Sequence, residues 1–352
     1  VIAMRIAFAV PGDLNTATGG YGYDRRIMSE LKALGWLVEH IELGDGFPWP
    51  TSETRNTALD RLEALSPQTP IVIDGLAFGV MAKEAELLAD HFPLIALVHH
   101  PLALENGLSA IQQQQLWQSE TAALAHASHV VVTSPATAKL MLEFNLKPER
   151  ISTVLPGTQR YGFGDGSKGS VVQLLSVGTL TPRKGFDVLI EALATLKNLA
   201  WHLTIVGDGV RDPACAADLA ARIIANGLTD RIIRLGTLSA EALSERYRQA
   251  DVFVLASHFE GYGMAYAEAM AHGLPVIGTT GGAIPGTVPA SAGLLVEPGN
   301  VQALAGVVRT MVEDETARAR FAAGARATAL SLPSWEDSAR LFAHVLRGAV
   351  AS

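Results

Sequence analysis

The chain has 352 residues, a length that fits two globular domains more readily than one. Hydrophobic residues make up 49% and charged residues 18%, which provides apolar surface for two cores and little scope for long disorder. A net charge of -8 excludes a general affinity for nucleic-acid phosphates or anionic membranes, since both reward a basic surface.

From Arg5 a short apolar run leads into the Gly-rich loop Thr18-Gly19-Gly20-Tyr21-Gly22. An amphipathic helix from about Tyr23 to Leu34 follows, with Gly35 as its stop. Similar units follow at Ile71–Ile73 before Asp74-Gly75, at Leu94–Val98 before His99-His100, and at Val130–Thr133 before Ser134. Ser134 reads as a helix cap rather than a ligand. Short apolar runs alternating with helices predict a parallel sheet buried on both faces. The stretch Gly157–Gly169, with further glycines at 162, 164 and 166, breaks this rhythm and is the linker candidate.

The rhythm then restarts. Strands are predicted at Val171–Val177, His202–Val206, Ile232–Leu235, Val252–Leu255, Pro275–Gly278 and Gly293–Val296. Helices are predicted near 187–197, 213–227, 239–250, 264–272 and 301–313, and Trp335–Leu346 has helical spacing after Pro333. The expected fold class is α/β, with residues 1–165 and 166–332 as two Rossmann-like doubly wound domains and 333–352 as a closing segment. In such sheets ligands lie beyond the carboxyl ends of the strands, so two facing domains would line a central cleft with loops.

Cys215 is the single cysteine, which permits no disulfide within the chain and suits a reducing compartment; it is expected as a buried small apolar residue. No apolar run reaches the roughly 18 residues of a membrane span, and Val-Ile-Ala-Met-Arg lacks the pattern of a signal peptide. Residues 1–3 precede Met4, which reads as a natural start. The expectation is a soluble, cytoplasmic protein. No histidine pair has helical zinc spacing and no carboxylate cluster is visible, so no metal is expected.

The strongest chemical signal is Glu260-Gly261-Tyr262-Gly263-Met264-Ala265-Tyr266-Ala267-Glu268, which follows a predicted strand and opens a helix. Two glycines at a helix start let N–H groups approach an anion, and the helix dipole favours negative charge there. Glu268 falls one turn inside the helix and Glu260 in the loop before it, so both can accept hydrogen bonds from a polyol. The alternative is that Glu260 caps the helix and Glu268 is solvated. A second signal, Val177-Gly178-Thr179-Leu180-Thr181-Pro182-Arg183-Lys184-Gly185, also follows a strand. Arg183 supplies a fork and Lys184 a point charge, a pair able to neutralise a diphosphate without a metal.

Neither Thr18–Gly22 nor Gly207-Asp208-Gly209 has dinucleotide-binding spacing, which disfavours a nicotinamide enzyme. His99 and His100 end an extended run and so point to opposite sides; at most one reaches a shared site.

These residues together resemble the retaining glycosyltransferases of the GT-B fold, family 4, also called glycosyl transferases group 1. The likeness rests on Glu260 and Glu268 with seven residues between, on Arg183-Lys184, on Ala250-Asp251-Val252 and on Gly281-Gly282. It implies a two-domain enzyme that uses a nucleotide-sugar donor and no cofactor or metal. Arg183 and Lys184 would hold the donor diphosphate, Glu268 the ribose, Glu260 the donor sugar, and the backbone of Gly261, Tyr262, Gly263, Met264 and Ala265 the phosphate and sugar oxygens. Gly19 and Gly20 would close over the diphosphate and His99 would contact the donor sugar. Gly178, Gly207 and Leu238 would line the nucleotide side. The family's final helix often crosses back to the first domain.

The chain departs from the pattern at Tyr262, where Phe is common, and at Gly286, where Glu is often found. A soluble small-molecule or glycan acceptor, rather than a lipid acceptor reached at a membrane, fits the acidic balance of residues 1–165, with about 11 Lys and Arg against 18 Asp and Glu. A noncatalytic sugar-nucleotide-binding protein and a GT-B epimerase are the alternatives. Acceptor-dependent release of nucleoside diphosphate separates them from a transferase.

Overall fold

The computed structural model describes residues 4–105 and 107–351. The three residues ahead of Met4 lie outside the described residues. The chain divides into two compact units: one runs up to Gly157 and takes in the residues from Trp335 onward, and the other is Thr158–Ser334.

The first unit holds a six-stranded sheet, β1 (Arg5–Val10), β2 (Leu37–Glu42), β3 (Ile71–Asp74), β4 (Leu94–Val98), β5 (His129–Val132) and β6 (Ile151–Thr153). Its order is β2-β1-β3-β4-β5-β6 and every pairing is parallel, with Ala7 opposite Ile71 and Ile71 opposite Leu94. Past Arg5 of β1 and His129 of β5 the inner strands are buried, which is why they read as plain apolar runs. One face packs Ile73, Ala96 and Val130 against Phe78, Leu88 and Leu124. On another, Phe8 stacks on Phe342 of the last helix, Trp335–Ala351, at 6.3 Å between ring centroids. Trp335 meets Tyr23 edge-on at 5.9 Å, so this helix is part of the first unit's packing. Burying one such aromatic side chain contributes about 1.5–3 kcal/mol.

The second unit holds β7 (Val172–Val177), β8 (Trp201–Val206), β9 (Ile232–Leu235), β10 (Val252–Val254), β11 (Val276–Thr279) and β12 (Gly293–Val296). The order β12-β11-β10-β7-β8-β9 is again wholly parallel. Trp201, Tyr247, Phe253 and Tyr266 are the largest side chains of its core.

The glycine-rich stretch proposed as a linker is not a slack tether. Asp251 accepts from the Ser167 N–H at 2.9 Å, the Ser167 hydroxyl at 2.7 Å and the Gln173 N–H at 2.7 Å. The Gly164 N–H donates to the His272 carbonyl at 2.9 Å, and Tyr161 stacks on His272. These bonds lay the stretch along the second unit. Glycine is required at 164 by packing, because a Cβ there would stand 2.6 Å from the Arg248 carbonyl oxygen.

Candidate active site

In each sheet, the strand order reverses once, and crevices for ligands form beyond the strand ends at that point. In the second unit the reversal lies between β7 and β10. The Arg-Lys loop follows β7, and the Glu260 loop follows β10. Pro182–Lys184 forms a short 3-10 turn closed by Gly185, whose φ is 62°. A Cβ on Gly185 would lie 2.1 Å from the Ala256 carbonyl oxygen, so only glycine lets the two loops close on each other. The His258 N–H donates to the Arg183 carbonyl at 2.8 Å and fixes their register.

The side chains then converge. Lys184 Nζ donates to Glu260 Oε1 at 2.6 Å, Arg183 Nη1 to Glu260 Oε2 at 3.2 Å and to the Phe259 carbonyl at 2.8 Å, and Ser257 Oγ to Glu260 Oε1 at 2.6 Å. Burial by itself would raise the Glu260 pKa, but Lys184 and then Arg183 bring it down to about 2. Glu260 is therefore an ionised, buried carboxylate. Among the described residues, Lys184 and Ser257 donate to Oε1 and Arg183 to Oε2, so of the roughly four acceptor positions of a carboxylate the less used oxygen is Oε2.

A third loop completes the floor. Glu260 bridges to Gly282, its carbonyl accepts from the Ala283 N–H at 2.8 Å, and Gly281 lies so close to His258 that a Cβ would stand 2.2 Å from its carbonyl oxygen. Gly286 lies in the short helix Ile284–Thr287 with open space where a Cβ would go.

Helix Met264–Ala271 begins at Gly263, whose φ of 93° suits glycine, and no side chain caps its first turn. Glu260 is thus not its cap. Tyr262 is buried, and its carbonyl accepts from the Thr287 hydroxyl, so its ring faces the interior. Glu268 is half-buried rather than solvated, and its Oε2 accepts from the Tyr247 hydroxyl at 3.1 Å. Burial raises its pKa to about 6, against the lowering effect of the Tyr247 hydrogen bond.

Gly178 and Gly207 follow β7 and β8 and pack backbone to backbone: a Cβ on Gly207 would stand 1.8 Å from the Gly178 oxygen. Leu238 is half-buried after β9, just before the Ser239 cap of the next helix. Cys215 is half-exposed in helix Pro213–Ala225 rather than buried. It lies in the first turn, where its N–H donates to the Asp212 cap at 2.9 Å, and burial followed by Asp212, Asp187 and Asp218 keeps the thiol pKa raised.

In the first unit the predicted glycine loop is helical. Helix Gly19–Ala33 starts four residues before the expected Tyr23, because Thr18 caps it by accepting from the Tyr21 N–H at 3.3 Å. Gly19 and Gly20 are its first residues and have no left-handed backbone. Gly20 is small because of its neighbour: a Cβ there would lie 3.2 Å from His99 Cδ2. His99 and His100 do diverge. His100 Nε2 meets Glu105 Oε2 at 2.9 Å, whereas His99 Nε2 lies 3.2 Å from Asp24 Oδ1 and 3.5 Å from Asp74 Oδ2.

Asp24, Asp74 and His99 form a grouping with metal-ligand types within 4.8 Å, a cluster the sequence reading did not find because Asp24 lies inside the first helix, Asp74 at the end of β3 and His99 just past β4. Both short distances pair a carboxylate oxygen with Nε2, an arrangement that hydrogen bonding accounts for.

The sequence pattern of the family "Glycosyl transferases group 1" matches residues 163–328, nearly all of the second unit and the whole of its cluster. This segment, just under half of the chain, is what carries the similarity to the glycosyl transferases group 1 family. Among curated relatives, D-inositol 3-phosphate glycosyltransferase of Streptosporangium roseum is 30% identical over 248 residues, covering 64% of this chain and 56% of that protein. Mannosylfructose-phosphate synthase of Agrobacterium fabrum is 31% identical over 179 residues, covering 44% and 38%. The chain thus spans about half the length, or less, of these curated relatives.

Solved structures match over the whole chain. Sucrose-phosphate synthase from Thermosynechococcus elongatus superposes with a TM-score of 0.80 at 21% identity, covering 99% of this chain and 100% of that one. Anabaena HepE, in complex with UDP and glucose, gives 0.74 at 19% identity, covering 97% and 99%. The chain has the GT-B fold. Among the described residues no helix is long and apolar enough to cross a membrane.

Sequence reasoning missed four side chains of these sites: Ser257, Tyr247, Asp24 and Asp74. Ser257 stands three residues before Glu260, a local signal that was available. Asp74 closes a predicted strand, so its position was legible although its partners were not; Asp24 and Tyr247 lie inside helices and carry no local sign.

Proposed function

We propose that this chain is a retaining glycosyltransferase of family 4 that moves a hexose from a nucleoside-diphosphate sugar, of UDP or GDP type, to a small-molecule or glycan acceptor without a metal. One observation carries the reading: Arg183 and Lys184 meet Glu260 at the reversal point of the second sheet, beside a helix start that no side chain caps. Fixed cations suit a departing diphosphate, because they stabilise negative charge without reorganising as it develops. The start of helix Met264–Ala271 suits a phosphate oxygen. Glu268 would accept the ribose hydroxyls, and Glu260 Oε2 would accept one hydroxyl of the donor sugar. The backbone near Gly178, Gly207 and Leu238 would border the base. In the first unit, the corner formed by Gly20 and His99 is the candidate for substrate contact.

In this reading the bond from the anomeric carbon to the diphosphate oxygen breaks, and both electrons leave with the nucleoside diphosphate. The acceptor oxygen bonds to the same face of the sugar, and its proton passes to the departing phosphate. No protein nucleophile is needed. The relatives' names, which carry inositol, mannosylfructose and sucrose phosphates, support a small acceptor.

The test is nucleoside-diphosphate release from a panel of UDP-, GDP- and ADP-sugars, with and without candidate acceptors, and with product configuration read from anomeric proton couplings. Release that depends on acceptor, yields a retained product and survives excess chelator is expected. Nucleotide binding without release supports the binding-protein alternative, an inverted product removes retention, and loss restored by magnesium removes metal independence.

A further inference from the structure

His99 sits where the carboxyl ends of β1, β3 and β4 come together, at the reversal point of the first sheet. Its Nε2 faces two carboxylates: Asp24 Oδ1 at 3.2 Å, from helix Gly19–Ala33, and Asp74 Oδ2 at 3.5 Å, at the end of β3. Asp24 is fully buried, Asp74 nearly so, and Asp24 Oδ2 is buried without a hydrogen-bond partner. The ring is held on its other sides. Tyr23 meets it edge-on at 5.4 Å and Gly20 lies against Cδ2, while the Thr133 hydroxyl donates to the backbone carbonyl of His99 at 3.3 Å and anchors the main chain that carries the ring. This fixes the ring's orientation, with one nitrogen committed to the carboxylates.

We propose that Asp24, with Asp74 beside it, is a positioning residue that holds His99 as an imidazolium through Nε2 and leaves Nδ1–H as a cationic donor to a substrate oxygen. The proposal deepens the function proposed above and rests on its placing His99 in contact with substrate.

The physics is that of a buried charge. A buried carboxylate must be paired or neutralised, and a cation between two carboxylates is the pairing this corner provides. Burial alone would lower the His99 pKa, but the charge and hydrogen bond of Asp24, and then those of Asp74, raise it to about 10. Burial raises Asp24 to about 7, with His99 pulling down and Asp74 pushing up. The titratable side chains against the ring are thus Asp24 and Tyr23 from the helix and Asp74 from the strand end. A ring protonated on both nitrogens cannot accept a proton, so His99 acts by donating a hydrogen bond and not as a general base. Such a donor is worth most where an oxygen gains charge in the transition state.

The experiment is a pH titration of histidine-labelled protein by NMR, with the His99 signals assigned from His99→Gln. Wild-type His99 is expected to stay an imidazolium through pH 8.5. In Asp24→Asn its midpoint should fall by two units or more, toward the ordinary histidine value of about 6.5, and Asp24→Glu should restore most of the loss. Acceptor-dependent release by Asp24→Asn should fall at least tenfold between pH 6 and 8.5, relative to wild type.

Should Asp24→Asn fail to fold, Asp74→Asn is read the same way, with a smaller drop expected. The NMR midpoints do not depend on turnover, so an inactive protein counts against the transferase reading while leaving this one decided by the spectra. A wild-type midpoint near the ordinary value, or midpoints unmoved in both asparagine variants, overturns the proposal. So does a His99 shift that saturates with one equivalent of zinc chloride, which would make Nε2 a metal ligand.

Discussion

Lys184 Nζ lies 2.6 Å from Glu260 Oε1, and this pair ties two loops that leave the second sheet on either side of its reversal point. The side chains are 14% and 9% exposed, so the attraction is little screened. Arg183 shares the same carboxylate at 3.2 Å, and the cluster therefore offers a diphosphate two cations already oriented by one anion. Arg183→Ala or Lys184→Ala should each lower acceptor-dependent release by about 100- to 1,000-fold, the scale for losing one charge-stabilising donor. Glu260→Gln should do the opposite to binding: with their neutralising charge gone, the two cations should hold nucleoside diphosphate more tightly in calorimetry while turnover falls. Rates within threefold of wild type for both alanine variants would end the assignment of this cluster.

Gly185 tests the frame beneath the cluster. Its φ of 62° and the 2.1 Å approach of an added Cβ to the Ala256 oxygen mean that Gly185→Ala must move one loop away from the other. A left-handed alanine alone costs about 1–2 kcal/mol, and relief of the clash adds to it. Thermal unfolding should show a clear fall, and nucleotide affinity should drop although no ligand-facing side chain has changed. Gly286→Ala, in open space, is the control and should leave both unchanged within error.

How much of this was legible in the sequence depended on burial and on locality. The inner strands were readable because both of their faces are covered and they must be apolar. The edge strand β2 has a mostly exposed pattern, Leu-Val-Glu-His-Ile-Glu, and was not predicted. Strand β6 is three residues long, and helix Glu315–Ala329 is mostly alanine and arginine, with too few large apolar side chains to mark a face. The Arg183, Lys184, Glu260 and Glu268 set was readable because each pair lies on one loop or one loop-helix step. Asp24, Asp74 and His99 come together through parallel pairing of β1 with β3 and of β3 with β4, which no local pattern records.

Glu268 and Tyr247 give a pH prediction. The Glu268 pKa is raised to about 6 by burial, so the carboxylate gains a proton as pH falls through that value and loses acceptor capacity for the ribose hydroxyls it is proposed to hold. Nucleotide affinity in calorimetry should strengthen between pH 5 and 7. Glu268→Gln should remove this slope and weaken binding about tenfold, roughly the loss of one charge-assisted hydrogen bond. Tyr247→Phe removes the hydrogen bond that favours the ionised form, so it should move the midpoint upward. A pH-independent affinity in the wild type would show that Glu268 does not touch the nucleotide.

Glu120 should govern alkaline stability in the first unit. It is buried, its Oε2 accepts from the Leu102 N–H at 3.0 Å, and its Oε1 has no hydrogen-bond partner. Burial raises its pKa from 4.5 to about 8, only partly offset by the Leu102 bond. Between those values the folded chain binds a proton that the unfolded chain has released, so stability falls as pH rises from about 4.5 through 8. Asp24, raised to about 7, and Glu268, raised to about 6, slope the same way, and the His99 contribution, full below 6.5, is lost as pH rises through about 10. Glu120→Gln cannot ionise and keeps an acceptor for Leu102. Its melting temperature should match wild type near pH 5 and exceed it at pH 9, with the decline reduced but not abolished because the other three groups remain. Parallel wild-type and variant curves across this range would show that Glu120 titrates alike in the folded and unfolded chain.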